Sequence, residues 1–340
     1  HPSRSGMLVK QCYASGTIIY VMPCGKFWSF ELNLQKKKKQ HFVWRKYLEP
    51  WSETDRIYCL MDGRIFKSGL MGVGQERYFY KLKELTEAEI KIIQAFIDQD
   101  KRPLIRKLNH GWIDFFNQVF KIRDLLDSYG VSHPEVDKML DVLVHNFEED
   151  FHGRIESDAI KFLEMLYRKD LSFYDDENEL IDFLFFICQQ YFRTQNIDSK
   201  VQAAIGSFNG FNIDAMWAVL RHTSATSVGF SLYQDRANFR PVLIDNTSNI
   251  PFVTGDQPVI NTHAIGLSLE EIPSELEFYY PLTPKLALLL TSDPDLNRMG
   301  IISIGEEKVA MYNRFIHSQA GKQVYSSERA ALEQLLNGQA

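Results

Sequence analysis

The chain has 340 residues, 45% of them hydrophobic, enough for a sizeable core in one large domain or two modest ones. Its formal net charge of −6 excludes a globally basic nucleic-acid binder while leaving room for a local basic groove. No apolar stretch approaches the ~20 residues that cross a bilayer, and the four cysteines, Cys12, Cys24, Cys59 and Cys188, make no C-x-x-C pair, so the expectation is a reduced, cytoplasmic protein without a membrane span.

Residues 1–6 lack a starting Met and read as a tag remnant, and 7–35 read as an extension ahead of the domain, with no signal-peptide pattern. Within that extension, 17–22 and 27–32 are β-rich and predict a hairpin around 23–26. The four lysines at 36–39 read as a solvated run. Two apolar runs, 56–61 and 64–67, flank Asp62-Gly63, a two-residue hairpin signal, because both turn positions need positive φ. Gly69, Gly72 and Gly74 are spaced too irregularly for a phosphate loop, and no G-x-x-x-x-G-K-[ST] occurs.

Helical patterns follow. Thr86-Glu87-Ala88-Glu89 is a capping box, opening a helix with Ile90, Ile93 and Ile97 on one face. Trp112, Phe115, Phe116, Val119 and Phe120 continue at helical spacing. Ser132-His133-Pro134-Glu135 predicts a second capping box, ahead of a stripe through Val136, Leu140, Val144 and Phe147. Ile155, Ala159, Phe162 and Leu166 predict the next helix, Asp175 or Asp176 caps another ending near Phe192, and Met216, Trp217 and Leu220 fit one more.

The character then changes to short β-rich runs at 228–233, 242–245, 252–254, 277–280, 286–291 and 301–304, separated by turn residues. A helix over 306–320, a strand at 324–325 and a terminal helix over 327–336 complete the chain. The pattern predicts an α+β fold: an N-terminal β element, a central multi-helix block, and a mostly antiparallel C-terminal sheet packed on the helices. It places one α+β domain over 36–340, helical over about 84–223 and β-rich over about 226–325. The early hairpin is expected to join the sheet and bring His41 close to Asp256.

Four local patterns now align. They are Lys38-Lys39-Gln40-His41-Phe42-Val43, Gln189-Gln190-Tyr191-Phe192-Arg193-Thr194, Phe252-Val253-Thr254-Gly255-Asp256-Gln257-Pro258-Val259, and Tyr280-Pro281-Leu282-Thr283-Pro284-Lys285-Leu286-Ala287. In this order and spacing they resemble the bacterial domain-of-unknown-function 4238 family, and Tyr312-Asn313 resembles a late element of it. Trp44 and Gln195 stand where the family pattern has Pro. The resemblance implies a choice of residues and supplies no activity.

The residues in those elements form the first candidate site. His41 has the chemistry of a general base, and Arg193 that of an oxyanion or phosphate clamp. Asp256 would orient the His or hold a metal, and Gln190, Asn313 and Lys39 would bind substrate. The competing reading makes His41 a satisfied core histidine, Asp256 a turn residue capping its own backbone, and Arg193 a partner of Asp256.

A second candidate is His145, Glu149 and His152, at i, i+4 and i+7, which with Glu148 or Glu156 have the donor types for a divalent ion. Against it, Val144, Phe147 and Phe151 mark the buried side, so the charged residues read as a solvated face. No H-E-x-x-H occurs, so the cofactor is unassigned and a divalent metal is left open. No G-x-S-x-G and no activated cysteine is present. Lys36 to Lys39, Arg45, Lys46, Lys101, Arg102, Arg106 and Lys107, with Trp44, Tyr47 and Trp51, suggest a local basic strip for nucleic acid, or two solvated clusters.

Two functions follow. One is a phosphodiester hydrolase, nuclease-like, acting as a defence or toxin-type effector, with His41, Arg193 and Asp256 catalytic. The other is a non-catalytic regulatory module binding a small ligand or a partner chain in a cleft.

Overall fold

The computed structural model describes residues 17–21, 27–31, 35–130, 133–205, 210–268, 271 and 273–338. It opens with β1 (Thr17–Val21) and β2 (Phe27–Glu31), paired antiparallel. Then come β3 (Lys39–His41), the single turn α1 (Arg45–Leu48), β4 (Arg56–Met61), β5 (Arg64–Gly69) and β6 (Gln75–Arg77). The helical block runs through α2 (Glu87–Ile97), α3 (Pro103–Ser128), α4 (Pro134–Tyr167), α5 (Glu177–Phe192), α6 (Gln195–Ile205) and α7 (Ile213–Gln234). Six strands follow: β7 (Arg240–Asn246), β8 (Thr254–Gly255), β9 (Ile260–Asn261), β10 (Phe278–Thr283), β11 (Leu286–Thr291) and β12 (Ile301–Ile304). The chain closes with α8 (Glu306–Gln319), β13 (Gln323–Ser326) and α9 (Arg329–Asn337). The fold is α+β, with mostly antiparallel strand pairing in its C-terminal part.

Contacts gather in two compact units, each assembled from separate stretches of chain. The first comprises 1–38, 80–153 and 210–226. Its core is aromatic: Trp112, Phe115 and Phe116 of α3 pack with Phe147 and Phe151 of α4, ring centroids 4.7–6.4 Å apart. Such edge and tilted pairs add to the burial of these large side chains. The Thr86 capping box forms as predicted, and Glu89 also accepts the Asn212 amide at 2.6 Å. The proposed box at Ser132 lies outside the described residues.

The second unit comprises 39–79, 154–209 and 227–340. Its five-stranded sheet has the order β12-β7-β11-β10-β9, with β12 parallel to β7 and the other pairs antiparallel. The central strands are continuous apolar runs: β11 is buried at every position, and so is the Val242–Leu243–Ile244 core of β7. Continuous apolarity marks strands covered on both faces. Val309, Tyr312 and Ile316 of α8 and Leu332 of α9 join this core, and Tyr279 stacks on Tyr312 at 4.3 Å.

The hairpin at Asp62-Gly63 forms as read, with φ of 49° and 70° at its two turn residues. It joins a separate four-stranded sheet, β5-β4-β13-β8, whose last strand leads into Asp256. His41 pairs instead with Gln75 in the two-stranded sheet β3-β6.

Two local expectations need correction. The β-rich run 228–233 is helical, the last turns of α7. Val219, Ala225 and Leu232 are buried at helical spacing, so tertiary burial outweighs local β propensity. The stripes read as two helices, one ending near Phe147 and one starting near Ile155, are a single 34-residue helix, α4, that runs through Gly153. One glycine inside a helix costs only about 1 kcal/mol, less than packing on both sides of it returns.

Candidate functional site

The family-like elements meet in the second unit, at the end of α5. Asp176 caps that helix by accepting the Asn178 and Glu179 amides, and the helix ends at Arg193. Arg193 is fully buried; its Nη2 lies 2.6 Å from Glu156 Oε1. Its Nε donates to the Phe42 carbonyl at 3.1 Å and its Nη2 to the His41 carbonyl at 3.2 Å. Arg193 therefore ties β3 to the end of α5. Its ion-pair partner is Glu156 rather than Asp256.

His41 and Arg193 are thus brought together. The His41 pKa is lowered, first by burial and then by the charges of Arg193, Lys39 and Arg45. Lys39 is exposed at the start of β3, and Gln190 is buried on α5 three residues before Arg193.

Asp256 and Asn313 are engaged by backbone groups of the same unit. The Asp256 carboxylate accepts the backbone amides of Gly321 at 2.7 Å, Lys322 at 2.6 Å and Gln323 at 2.9 Å. Burial raises its pKa against the pull of those amides. Asn313 Oδ1 accepts the Val253 amide and its Nδ2 donates to the Pro251 carbonyl, both at 2.9 Å. Neighbouring Gln257 takes the Thr194 hydroxyl and donates to the carbonyls of Tyr191 and Val259. These side chains replace backbone partners where the chain has no regular ladder.

A pH dependence follows from His41. Its folded pKa lies below its unfolded value near 6.5, so the neutral form contributes stability above that value. That stability is lost as pH falls from about 6.5 through the folded pKa. The thermal midpoint should drop between neutral and mildly acidic pH, and a His41→Gln protein should show a shallower drop over the same window. Equal slopes for the two proteins would remove His41 as the cause.

Several residues of the suggested basic strip are neutralised locally. Lys36 pairs with Asp141, Lys37 with Asp150, Arg45 with Asp55, Lys46 with Glu49, and Arg102 with Asp100. The described cysteines are buried and inert: burial pushes the Cys59 thiol up to about 12 and raises Cys188 as well.

The second candidate changes its environment and its members. In the first unit Glu148 and His152 of α4 are buried, not solvated, and His222 of α7 joins them. His222 Nε2 lies 3.3 Å from Glu148 Oε1, His152 Nε2 lies 3.7 Å from it, and Arg221 Nε lies 3.6 Å from it. Burial alone would raise the Glu148 carboxyl, but Arg221 and the two imidazoles outweigh it and hold it well below the usual carboxylate range. Burial lowers His222. His145 turns away to the Asp141 carbonyl, at 2.7 Å. Arg221-His222 carried a signal, two strongly polar residues inside an apolar helix, but no spacing rule links them to α4.

The second unit also holds a polar cleft of about 550 Å³. Ser172, Asp175, Asn238, Arg240, Asn297 and Arg298 line it, brought from three separate stretches of chain, with Arg240 at the start of β7. Arg240 meets Asp175 at 3.3 Å and covers the Tyr174 ring at 5.2 Å. Arg298 is exposed. Asn297 Nδ2 donates to the Asn238 carbonyl at 2.8 Å, while its buried Oδ1 has no hydrogen-bond partner among the described residues.

No helix among the described residues is long and apolar enough to cross a membrane. Comparison with curated proteins and with solved structures returns no match. The model of the family described as "Protein of unknown function (DUF4238)" matches residues 39–330, and the chain belongs to that family.

Proposed function

From the premise of membership in a family without an assigned activity, we propose that this chain is a regulatory binding module for a small phosphorylated ligand. The observation that carries the reading is the cleft of the second unit, with Arg240 and Arg298 on its walls. Its volume of about 550 Å³ lies within the range of small-molecule sites, roughly 300–1,000 Å³. The exposed Arg240–Asp175 pair holds by only about 0–1 kcal/mol, so a phosphate can take the guanidinium over. Arginine suits that exchange because its planar fork bonds phosphate through two nitrogens.

The hydrolase reading has weaker support. It relies on Arg193, Asp256 and Asn313 as working groups, and all three are engaged in bonds within the fold. His41 keeps a half-exposed position among cations and a lowered pKa, as a base would need.

One experiment separates the two. The full chain is titrated calorimetrically with inorganic phosphate, a nucleoside monophosphate, a nucleoside diphosphate and a sugar phosphate, and product formation is followed in parallel with DNA and RNA. Binding without turnover is expected, and Arg240→Ala and Arg298→Ala should each weaken it about tenfold or more, the worth of one charged hydrogen bond. No binding, or binding unchanged in the double variant, overturns the cleft as the site. Cleavage of nucleic acid that disappears in His41→Ala would transfer the function to the hydrolase reading.

A further inference from the structure

We propose that the first unit holds a divalent transition-metal ion, of which Zn²⁺ is the reference case, ligated by Glu148, His152 and His222. The inference is independent of the ligand cleft, which uses other residues in the other unit.

The sequence delivers two ligands on one helix face, because positions four apart on α4 lie one turn above each other. The third comes from α7. All three donor atoms lie within 4.8 Å of one another. Zinc bonds to imidazole and carboxylate are about 2.0–2.2 Å long, which sets neighbouring donors of a tetrahedral site roughly 3.3–3.6 Å apart. The two separations to Glu148 Oε1, 3.3 and 3.7 Å, match that spacing to within a few tenths of an ångström. Two imidazoles and one carboxylate are a donor set that borderline divalent ions accept.

The surroundings support the same assignment. Phe116 stacks on His222 at 4.7 Å, and Trp112 and Phe151 flank it at 5.2 and 5.1 Å. Tyr80 lies against His152 at 4.9 Å. These walls fix the ring planes and keep water out, as the apolar shell around a metal site does. Behind them, Trp112 Nε1 donates to Thr226 Oγ1, and that hydroxyl donates to the His222 carbonyl, both at 2.9 Å. The chain of bonds holds the α7 turn that carries the ligand.

Arg221 is the cation that an arriving ion must confront. Its Nε faces the same oxygen of Glu148 at 3.6 Å and its guanidinium lies over Tyr80. Its positive charge, beside the ligand oxygen, opposes that of the ion. Arg221 therefore weakens affinity, and its removal should strengthen it. A purely structural ion-pair network would bind no ion, and removing Arg221 would only strip Glu148 of its partner and lower stability.

The test starts from the purified full chain, assayed for metal content, then depleted with a chelator and titrated with Co²⁺. One equivalent should bind, give visible d–d absorption and be displaced by Zn²⁺. Glu148→Gln and His222→Gln should each cut the affinity tenfold or more, and Arg221→Met should raise it. Absence of Co²⁺ binding overturns the proposal, and so does binding that both ligand variants leave unchanged. If the ligand variants fail to fold, X-ray absorption at the zinc edge of the unmodified protein decides: scattering without two imidazoles overturns the site.

Discussion

An Arg193→Met protein is expected to lose about 3–5 kcal/mol of stability, the cost of removing one partner from a buried ion pair. Met keeps most of the side-chain volume, so the loss reports the charge and its bonds. Arg193 is fully buried and satisfies three acceptors: Glu156 and the carbonyls of His41 and Phe42. Without it, Glu156 is left in the interior as an uncompensated carboxylate. Burial already raises the Glu156 pKa against the pull of Arg193, so the variant raises it further. A carboxyl with a raised folded pKa binds its proton more tightly in the folded state, and the variant should therefore regain stability as pH falls. Adding Glu156→Gln should recover part of the loss. Urea denaturation of the two single variants and the double variant measures the coupling. A loss below about 1 kcal/mol would mean the pair behaves like a surface one.

Asp256→Ala should cost about 2–3 kcal/mol, from the range for buried donors left without partners. Three backbone amides, those of Gly321, Lys322 and Gln323, lose their acceptor together. Gly321 and Lys322 are exposed and water can replace part of the bond, whereas Gln323 opens β13 and is half-buried. The damage should be local: amide exchange at 321–323 should accelerate while α5 stays protected. Asp256→Asn should fall between, because its NH₂ group cannot accept and one oxygen remains. If Asp256 instead served chemistry, its removal would leave stability nearly unchanged and abolish an activity. The denaturation midpoint and the exchange pattern separate these outcomes.

Both residues stand out in the sequence for what surrounds them, and the fold gives each a different partner. They are polar residues inside family-like elements, and charge alone would pair them with each other. The folded chain gives Arg193 to Glu156, an acidic residue 37 positions earlier on α4, and gives Asp256 to a turn about 65 positions later. Local signals name the residue type; only long-range packing names the partner. The same holds for Glu148. The stripe of Val144, Phe147 and Phe151 suggested that its face was solvated, yet Glu148 and His152 are buried against α7. A helix with neighbours on two sides buries more than its apolar stripe, and a pattern of one helix cannot show the second neighbour.

What the sequence determined by itself was carried by residues within a few positions of one another. The Thr86 capping box, a cap at Asp175 or Asp176, the Asp62-Gly63 turn, and strands β11 and β12 all rest on short-range hydrogen bonding or on apolar runs. The α+β class and the match to the family follow from the order of those elements. Tertiary structure decided the rest: that 228–233 is helix, that the hairpin and the C-terminal strands form two sheets, and that His222 and Arg240 stand beside their neighbours. The physical reason is common to all of these. Burial energy depends on which surfaces meet, and hydrogen bonds between residues dozens to hundreds of positions apart leave no periodicity in the chain that makes them.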